Sequence, residues 1–299
     1  MAMLKYGQYM SQYDVRDISS RTSTLGNPEK PQQTAYYLVG SNDVSASDDL
    51  KLASVPYDHS VRDAKSYLAW VKQMVRKGHT VTIAVYMNYY LFYGITIPEA
   101  GEWDYDHIVS VSSIESDYDD DEYHADDIIT MEDHGLWAPR LTGPQYLFSY
   151  TFKEFPATRE EANSQVGKKI YSLPSSLAAG QFGIAHTGVK DDEGSLLRMK
   201  VTTNVNYESP EIDNRSEKRP PSMPIILTIT VSGVTEGENY VLYKYDDETA
   251  VPTKSFNANK DKAISAIPFV GTISGCFVTS ETIQSNQKVI FRAVRSDAV

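Results

Sequence analysis

Cysteine is almost missing from this chain: its 299 residues hold one, Cys276. One thiol excludes an intrachain disulfide. Cys276 is left readable as a small buried hydrophobe in a strand, as a reactive thiol, or as half of an intermolecular bridge. Long apolar runs are absent as well, and nothing approaches the roughly 18 residues that a membrane span requires. Positive charge is scarce, with 28 Lys and Arg against 40 Asp and Glu and a net charge of −12. That balance argues against a nucleic-acid surface, because phosphate contacts need clustered Lys and Arg. No glycine-rich phosphate loop, dinucleotide fingerprint or H-E-x-x-H zinc spacing occurs, so neither a cofactor nor a metal is expected. The opening, MAMLKYGQYMSQYD, has the features of neither a signal peptide nor a transit peptide.

What is present describes a globular protein long enough for two cores of ordinary size, with 41% hydrophobic and 23% charged residues. Met1–Tyr13 has loosely helical apolar spacing and no N-cap ahead of it, so it reads as the end of a helix. Arg16–Asp49 is polar and reads mainly as loop, with a short helix near Gln33–Val39. Asp58–Lys77 gives the clearest helix, with Val61, Ala64, Tyr67, Leu68, Val71, Met74 and Val75 on one face and Gly78 as its stop. Thr80–Tyr86 follows as a β-branched strand. Tyr89–Tyr93 reads as an aromatic loop, set either beside a cleft or into the core. Thr158–Ser164 is a short capped helix with Glu at the fourth position. From Lys168 onward, strands are expected at Phe182–Val189, Leu197–Val205, Ile225–Val231, Tyr240–Tyr245, Ala263–Phe269, Gly275–Ile283 and Lys288–Val294. Seven short strands with turns between them predict an antiparallel sandwich. Tyr207–Pro224 reads as a surface loop, and Asn214-Arg215-Ser216 is a glycosylation sequon, meaningful in a secreted protein.

The block from Trp103 to Gly135 carries the chemistry. Ile108–Val111 and Ile128–Met131 have the length and branching of buried strands. His107 opens the first and Asp133 closes the second, so neighbouring strands would bring the two side chains to one sheet end. An imidazole held by a carboxylate is a prepared base. Between the strands, Asp117–Asp127 packs seven acids into eleven residues around His124. That run reads as a solvated hairpin, a cation site or a selector of basic peptides, and it lacks the Gly of a calcium loop. His134 follows Asp133 directly and reads as a surface residue or a neighbour of the pair. Trp103 and Trp137 flank the block as groove walls or as core.

Four segments together resemble a known family. They are K-Y-G-Q-Y-M-S-Q-Y-D-V-R (5–16), Y-L-A-W-V-K (67–72), the stretch from Val81 to Gly94, and D-Y-D-H-I-V-S-V (104–111) followed by D-D-I-I-T-M-E-D. They are similar to papain-fold cysteine peptidases related to the bacteriocin-processing double-glycine peptidases. L-T-I-T-V-S-G-V-T-E-G-E-N-Y-V-L-Y-K-Y-D (227–246) is similar to the β-sandwich that accompanies such a domain. The resemblance implies that His107 is the general base and Asp133 its orienting residue. It also implies a nucleophilic cysteine at the start of the helix leading into residues 5–16, and an oxyanion-hole glutamine just before that. Both would lie ahead of Met1, and Cys276, in G-T-I-S-G-C-F-V-T, does not replace them.

The expectation is therefore an α+β protein with a papain-like domain at 1–166 and an antiparallel β-sandwich at 167–299. It would be a cysteine peptidase-like protein holding a His107/Asp133 remnant, inactive as it stands and extracellular. The alternative is a non-catalytic binding or structural protein, such as an extracellular assembly subunit. A peptide or protein ligand and a homo-oligomer are the partners this reading allows; nucleic acid and a membrane span are not.

Overall fold

The computed structural model describes residues 2–20, 42–58, 60–94, 101, 103, 105–133, 146–163, 169–175, 181–204, 219 and 221–297. The protein is sheet-rich α+β, mostly antiparallel strand with few helices. Among the described residues the strands are β1 (Gln8–Tyr9), β2 (Leu52–Pro56), β3 (Thr80–Met87), β4 (His107–Glu115), β5 (Ile128–Glu132), β6 (Leu147–Thr151), β7 (Pro156–Ala157) and β8 (Tyr171–Pro174). They continue with β9 (Gly183–Val189), β10 (Arg198–Thr203), β11 (Pro224–Ser232), β12 (Asn239–Tyr245), β13 (Ser265–Val270), β14 (Cys276–Gln284) and β15 (Val289–Arg295).

The chain divides into two compact units, one of residues 38–43 and 54–187, the other of 1–37, 44–53 and 188–299. This differs from a single boundary at 166/167, and strand pairing is the reason. β8 and β9 both pair with β3, through Met87↔Tyr171 and Thr80↔His186, so residues 169–187 group with the unit that holds β3. β1 pairs with β15, through Gln8↔Ile290 and Tyr9↔Val289, so the first residues group with the later strands. Arg16–Asp49, read mainly as loop, carries parts of two helices, Gln12–Ser20 and Asn42–Asp49. The expected helix near Gln33–Val39, the Asn214 sequon, His59, His134 and Trp137 lie outside the described residues.

In the unit of residues 54–187, the sheet runs β2-β9-β3-β4-β5-β6, with β8 beside the end of β3. Its clearest helix is Ala64–Arg76 rather than 58–77. Asp63 takes the N-cap, and its carboxylate accepts the Lys65 and Ser66 amides that the first turn leaves unpaired. Tyr67, Leu68, Val71 and Met74 are buried in one core with Ile83, Val85, Val109, Ile129 and Phe148. Each such side chain contributes about 1.5–3 kcal/mol on leaving water. Tyr89–Tyr93, expected as a loop, is a single helical turn capped by Asn88 and closed by left-handed Gly94. Leu91 and Phe92 are buried there while Tyr93 is exposed.

In the other unit, β1-β15-β12-β13 faces β10-β11-β14, and the strands expected from residue 197 onward all form within a few residues of their predicted limits. Leu227, Ile229, Leu242, Phe291 and Ala293 fill the space between the sheets. A second cluster, with Tyr243, Tyr245, Phe256 and Ile290, covers the other face of the four-stranded sheet. Burial on both faces explains why V-I-F-R-A-V in β15 is nearly continuous rather than alternating. It also draws in Arg292, whose pKa burial lowers to about 10. Gly7, at φ +73°, lets the chain turn against Phe291, whose amide donates to the Gly7 carbonyl at 2.8 Å. Among the described residues no helix is long and apolar enough to cross a membrane.

His186, on β9, is buried, and desolvation lowers its pKa from 6.5 to about 4. The unfolded chain takes up this proton near pH 6.5, whereas the folded chain resists until about pH 4. Stability from this group is therefore full above pH 6.5, falls across that window, and levels off below it. The loss is about 3 kcal/mol at most. Replacing His186 by Gln should flatten the difference between urea midpoints at about pH 7 and about pH 4.5. A variant as pH-sensitive as the parent would contradict this origin.

Candidate active site

Strand register places the site at one end of the larger sheet. β3 pairs with β4 so that Val85 lies opposite His107, and β4 pairs with β5 so that Ser110 lies opposite Glu132. Asp133, one residue past β5, therefore arrives at the same end as His107, and its amide is fixed by the Tyr146 carbonyl at 3.0 Å. His107 Nε2 and Asp133 Oδ2 lie 2.8 Å apart. The imidazole side chain is 22% exposed and the carboxylate 9%. A buried carboxylate thus holds a partly exposed imidazole.

A third residue joins them. Tyr171 enters on β8, opposite Met87, and its hydroxyl donates to the same Asp133 oxygen. Its ring also stacks on the imidazole, with centroids 5.5 Å apart and planes at 25°. Burial, reinforced by Asp133, pushes the phenol pKa far up, which keeps Tyr171 a donor.

Behind His107 the preceding residue is tied into the protein. Asp106 Oδ1 accepts the Met87 amide at 2.5 Å, and Oδ2 pairs with Arg159 Nη1. Arg159 is buried, lies 4.3 Å over the Tyr86 ring, and donates to the Met87 carbonyl and to Asn163 Oδ1. Its helix starts with the expected capping box, Thr158 and Glu161. Gly101, at φ +85°, permits this crowding: a Cβ there would lie 2.6 Å from Arg159 Nη1 and 2.7 Å from Asp106 Oδ2. Tyr86 Oη donates to the Trp103 carbonyl at 2.6 Å, while the Trp103 residue itself is 61% exposed and so is not core.

The acidic run folds against the helix. Buried Lys72 lies 2.9 Å from Asp127 Oδ2 and 3.4 Å from Asp120 Oδ1, and donates to the Glu122 carbonyl at 3.1 Å. Arg76 reaches Asp119 at 2.6 Å and Asp121 at 3.2 Å. His124 stacks on Tyr118, centroids 3.6 Å apart, and bonds Asp120. The hydrogen bond to His124 is the main cause holding the Asp120 carboxyl below its usual range. Among the described residues no group of three or more His, Cys, Asp or Glu is placed to hold a metal ion. Two open recesses, about 200 and 370 Å³, are lined by residues of the other unit, including Ile229 and Glu281 in one and Asp14 and Arg219 in the second. Cys276 also belongs to that unit, its Sγ 3.9 Å from Ser232 Oγ.

Sequence reasoning singled out His107 and Asp133, which the structure brings together, and missed Tyr171, Asp106 and Arg159. The only local signal for Tyr171 is an apolar run, I-Y-S-L-P, too short to stand out from the loops around it. No family model, curated protein or solved structure matches the chain.

Burial raises the Asp106 carboxyl above its usual range, and Arg159 offsets only part of that. The pair is thus a positioning device rather than a source of net stability. Replacing Arg159 by Met should cost about 3 kcal/mol in urea unfolding, and adding Asp106→Asn should restore part of it. Strictly additive effects of the two changes would count against the pairing.

Proposed function

We propose that His107 and Asp133 form the general-base half of a cysteine peptidase-like site on a papain-like domain, with no thiol assigned beside it in this chain. The 2.8 Å contact between His107 Nε2 and the buried Asp133 carboxylate is the observation that supports this reading. A carboxylate accepting from Nε2 leaves the lone pair on Nδ1, on the opposite side of the ring. Nδ1 can take a proton from a thiol or water, and Asp133 stabilises the imidazolium that results. The resemblance of D-Y-D-H-I-V and D-D-I-I-T-M-E-D to the peptidase family gives the same roles. Cys276, on β14, takes no part in this proposal. Removing the nucleophile from such a unit costs several orders of magnitude in rate, so this polypeptide should leave ordinary peptides intact.

Non-catalytic peptide binding is the second reading. Exposed Tyr93 and Trp103, in the same unit, favour it, since aromatic side chains left in water serve as contact residues. The Asn214 sequon supports an extracellular setting for both readings.

An activated ester separates them. The base reading expects His107-dependent hydrolysis of p-nitrophenyl acetate that rises when a small thiol is added, with no cleavage of casein. His107→Ala should remove that rate, and Asp133→Asn should lower it at least about tenfold. Ester hydrolysis indifferent to His107, with or without thiol, would leave the binding reading. Casein cleavage blocked by His107→Ala would show that the chain supplies its own nucleophile.

A further inference from the structure

We propose that Tyr171 is a positioning residue of this site: its hydroxyl holds the Asp133 carboxylate and its ring holds the imidazole, so that Nδ1 is the atom presented to a reacting group. The inference rests on His107 and Asp133 acting as a base pair.

Packing alone does not account for this tyrosine. Its ring already lies among buried aromatics, 4.9 Å from Phe148 and 6.4 Å from Phe92. A phenylalanine would satisfy that environment, whereas a hydroxyl carried into it costs free energy unless it finds an acceptor. The acceptor it finds is Asp133 Oδ2, the oxygen that also faces His107 Nε2. Two donors on one oxygen fix the carboxylate from two directions. The stacked ring then limits rotation of the imidazole about its Cβ–Cγ bond.

Tyr171 is itself held firmly. Its backbone is in register with Met87, and its amide and that of Ile170 donate to Tyr150 Oη at 3.3 and 3.2 Å. The Tyr150 ring stacks on buried Phe155 at 5.5 Å with planes at 4°. A residue on a paired strand, braced by a partly buried tyrosine, can orient a neighbour to within the tolerance that proton transfer demands.

The hydroxyl also shares the negative charge that His107 experiences. The titratable and charged groups around the imidazole are Asp133, Tyr171 and Asp106, the last paired with Arg159. Removing only the Tyr171 oxygen leaves Asp133 Oδ2 to the imidazole alone, which favours the imidazolium. Asp106 and Arg159 are the same before and after and cancel in the comparison.

The test is an NMR titration of His107 in the 299-residue protein, its signals assigned with His107→Ala. Tyr171→Phe should raise the His107 midpoint by about half a pH unit or more while the Nε2–H signal persists. Tyr171→Leu should lose slow exchange of that proton because the ring is gone. In the parent, a slowly exchanging Tyr171 hydroxyl proton is expected, a measurement that needs no variant. An unmoved midpoint in folded Tyr171→Phe, or a fast-exchanging hydroxyl in the parent, overturns the role of the hydroxyl. Slow Nε2–H exchange in Tyr171→Leu overturns the role of the ring. Asp133→Asn in the same titration tests the underlying pair: an unchanged midpoint there removes the base reading itself, whatever Tyr171 does.

Discussion

Strand β3 pairs with β4, β8 and β9, and its last three residues position His107, Asp106 and Tyr171. Val85 sets the position of His107, Tyr86 anchors the Trp103 carbonyl, and Met87 pairs with Tyr171 while its amide holds Asp106. A one-residue slip of this strand would exchange its two faces and separate these partners. The slip is opposed by burial: from Ile83 to Met87 every residue is buried, so β3 has no solvent face to offer. The site is therefore as rigid as the core beneath it, which suits a base whose value depends on direction.

Charge in this unit separates into contacts that hold structure and contacts that do little. Lys72 and Asp127 are both buried, and breaking such a pair costs about 3–5 kcal/mol because a lone charge remains. The Arg76 pairs with Asp119 and Asp121 are open to solvent and contribute little. Lys72 thus holds the acidic loop to the helix. Asp106 and Arg159 follow the same logic one layer deeper, next to the base, where the return is geometry rather than stability.

Much of this was legible in the sequence because it follows from local pattern. Helical spacing in Tyr67–Met74, β-branching in Thr80–Tyr86, and turn residues between the later strands each report on a handful of neighbours. His107 and Asp133 were legible because each stands at the edge of an apolar run, where a strand ends. Tyr171 and Arg159 were not, since their roles depend on contacts 38 and 53 residues away. The placement of residues 1–37 was hidden for the same reason. A two-residue strand such as Gln8–Tyr9 has no periodicity, yet its pairing with β15 sets where that segment belongs. Arg292, within β15, is buried under a second apolar cluster over that face, a feature no local pattern reports.

A base without an assigned thiol still has defined chemistry. Proton transfer requires a lone pair near neutrality, a fixed direction and a partner that accepts the developing positive charge. In the proposed roles, Tyr171 would give His107 its direction and Asp133 would be the partner. Bond cleavage in a peptide requires more, namely a nucleophile and a donor for the tetrahedral oxygen, because the leaving amine is poor. Activated acyl groups lower that demand, since their leaving groups depart without help. Proton transfer and amide cleavage are therefore separate demands. As a proposed base, His107 would move a proton on its own, whereas breaking an amide would depend on further groups reaching Nδ1.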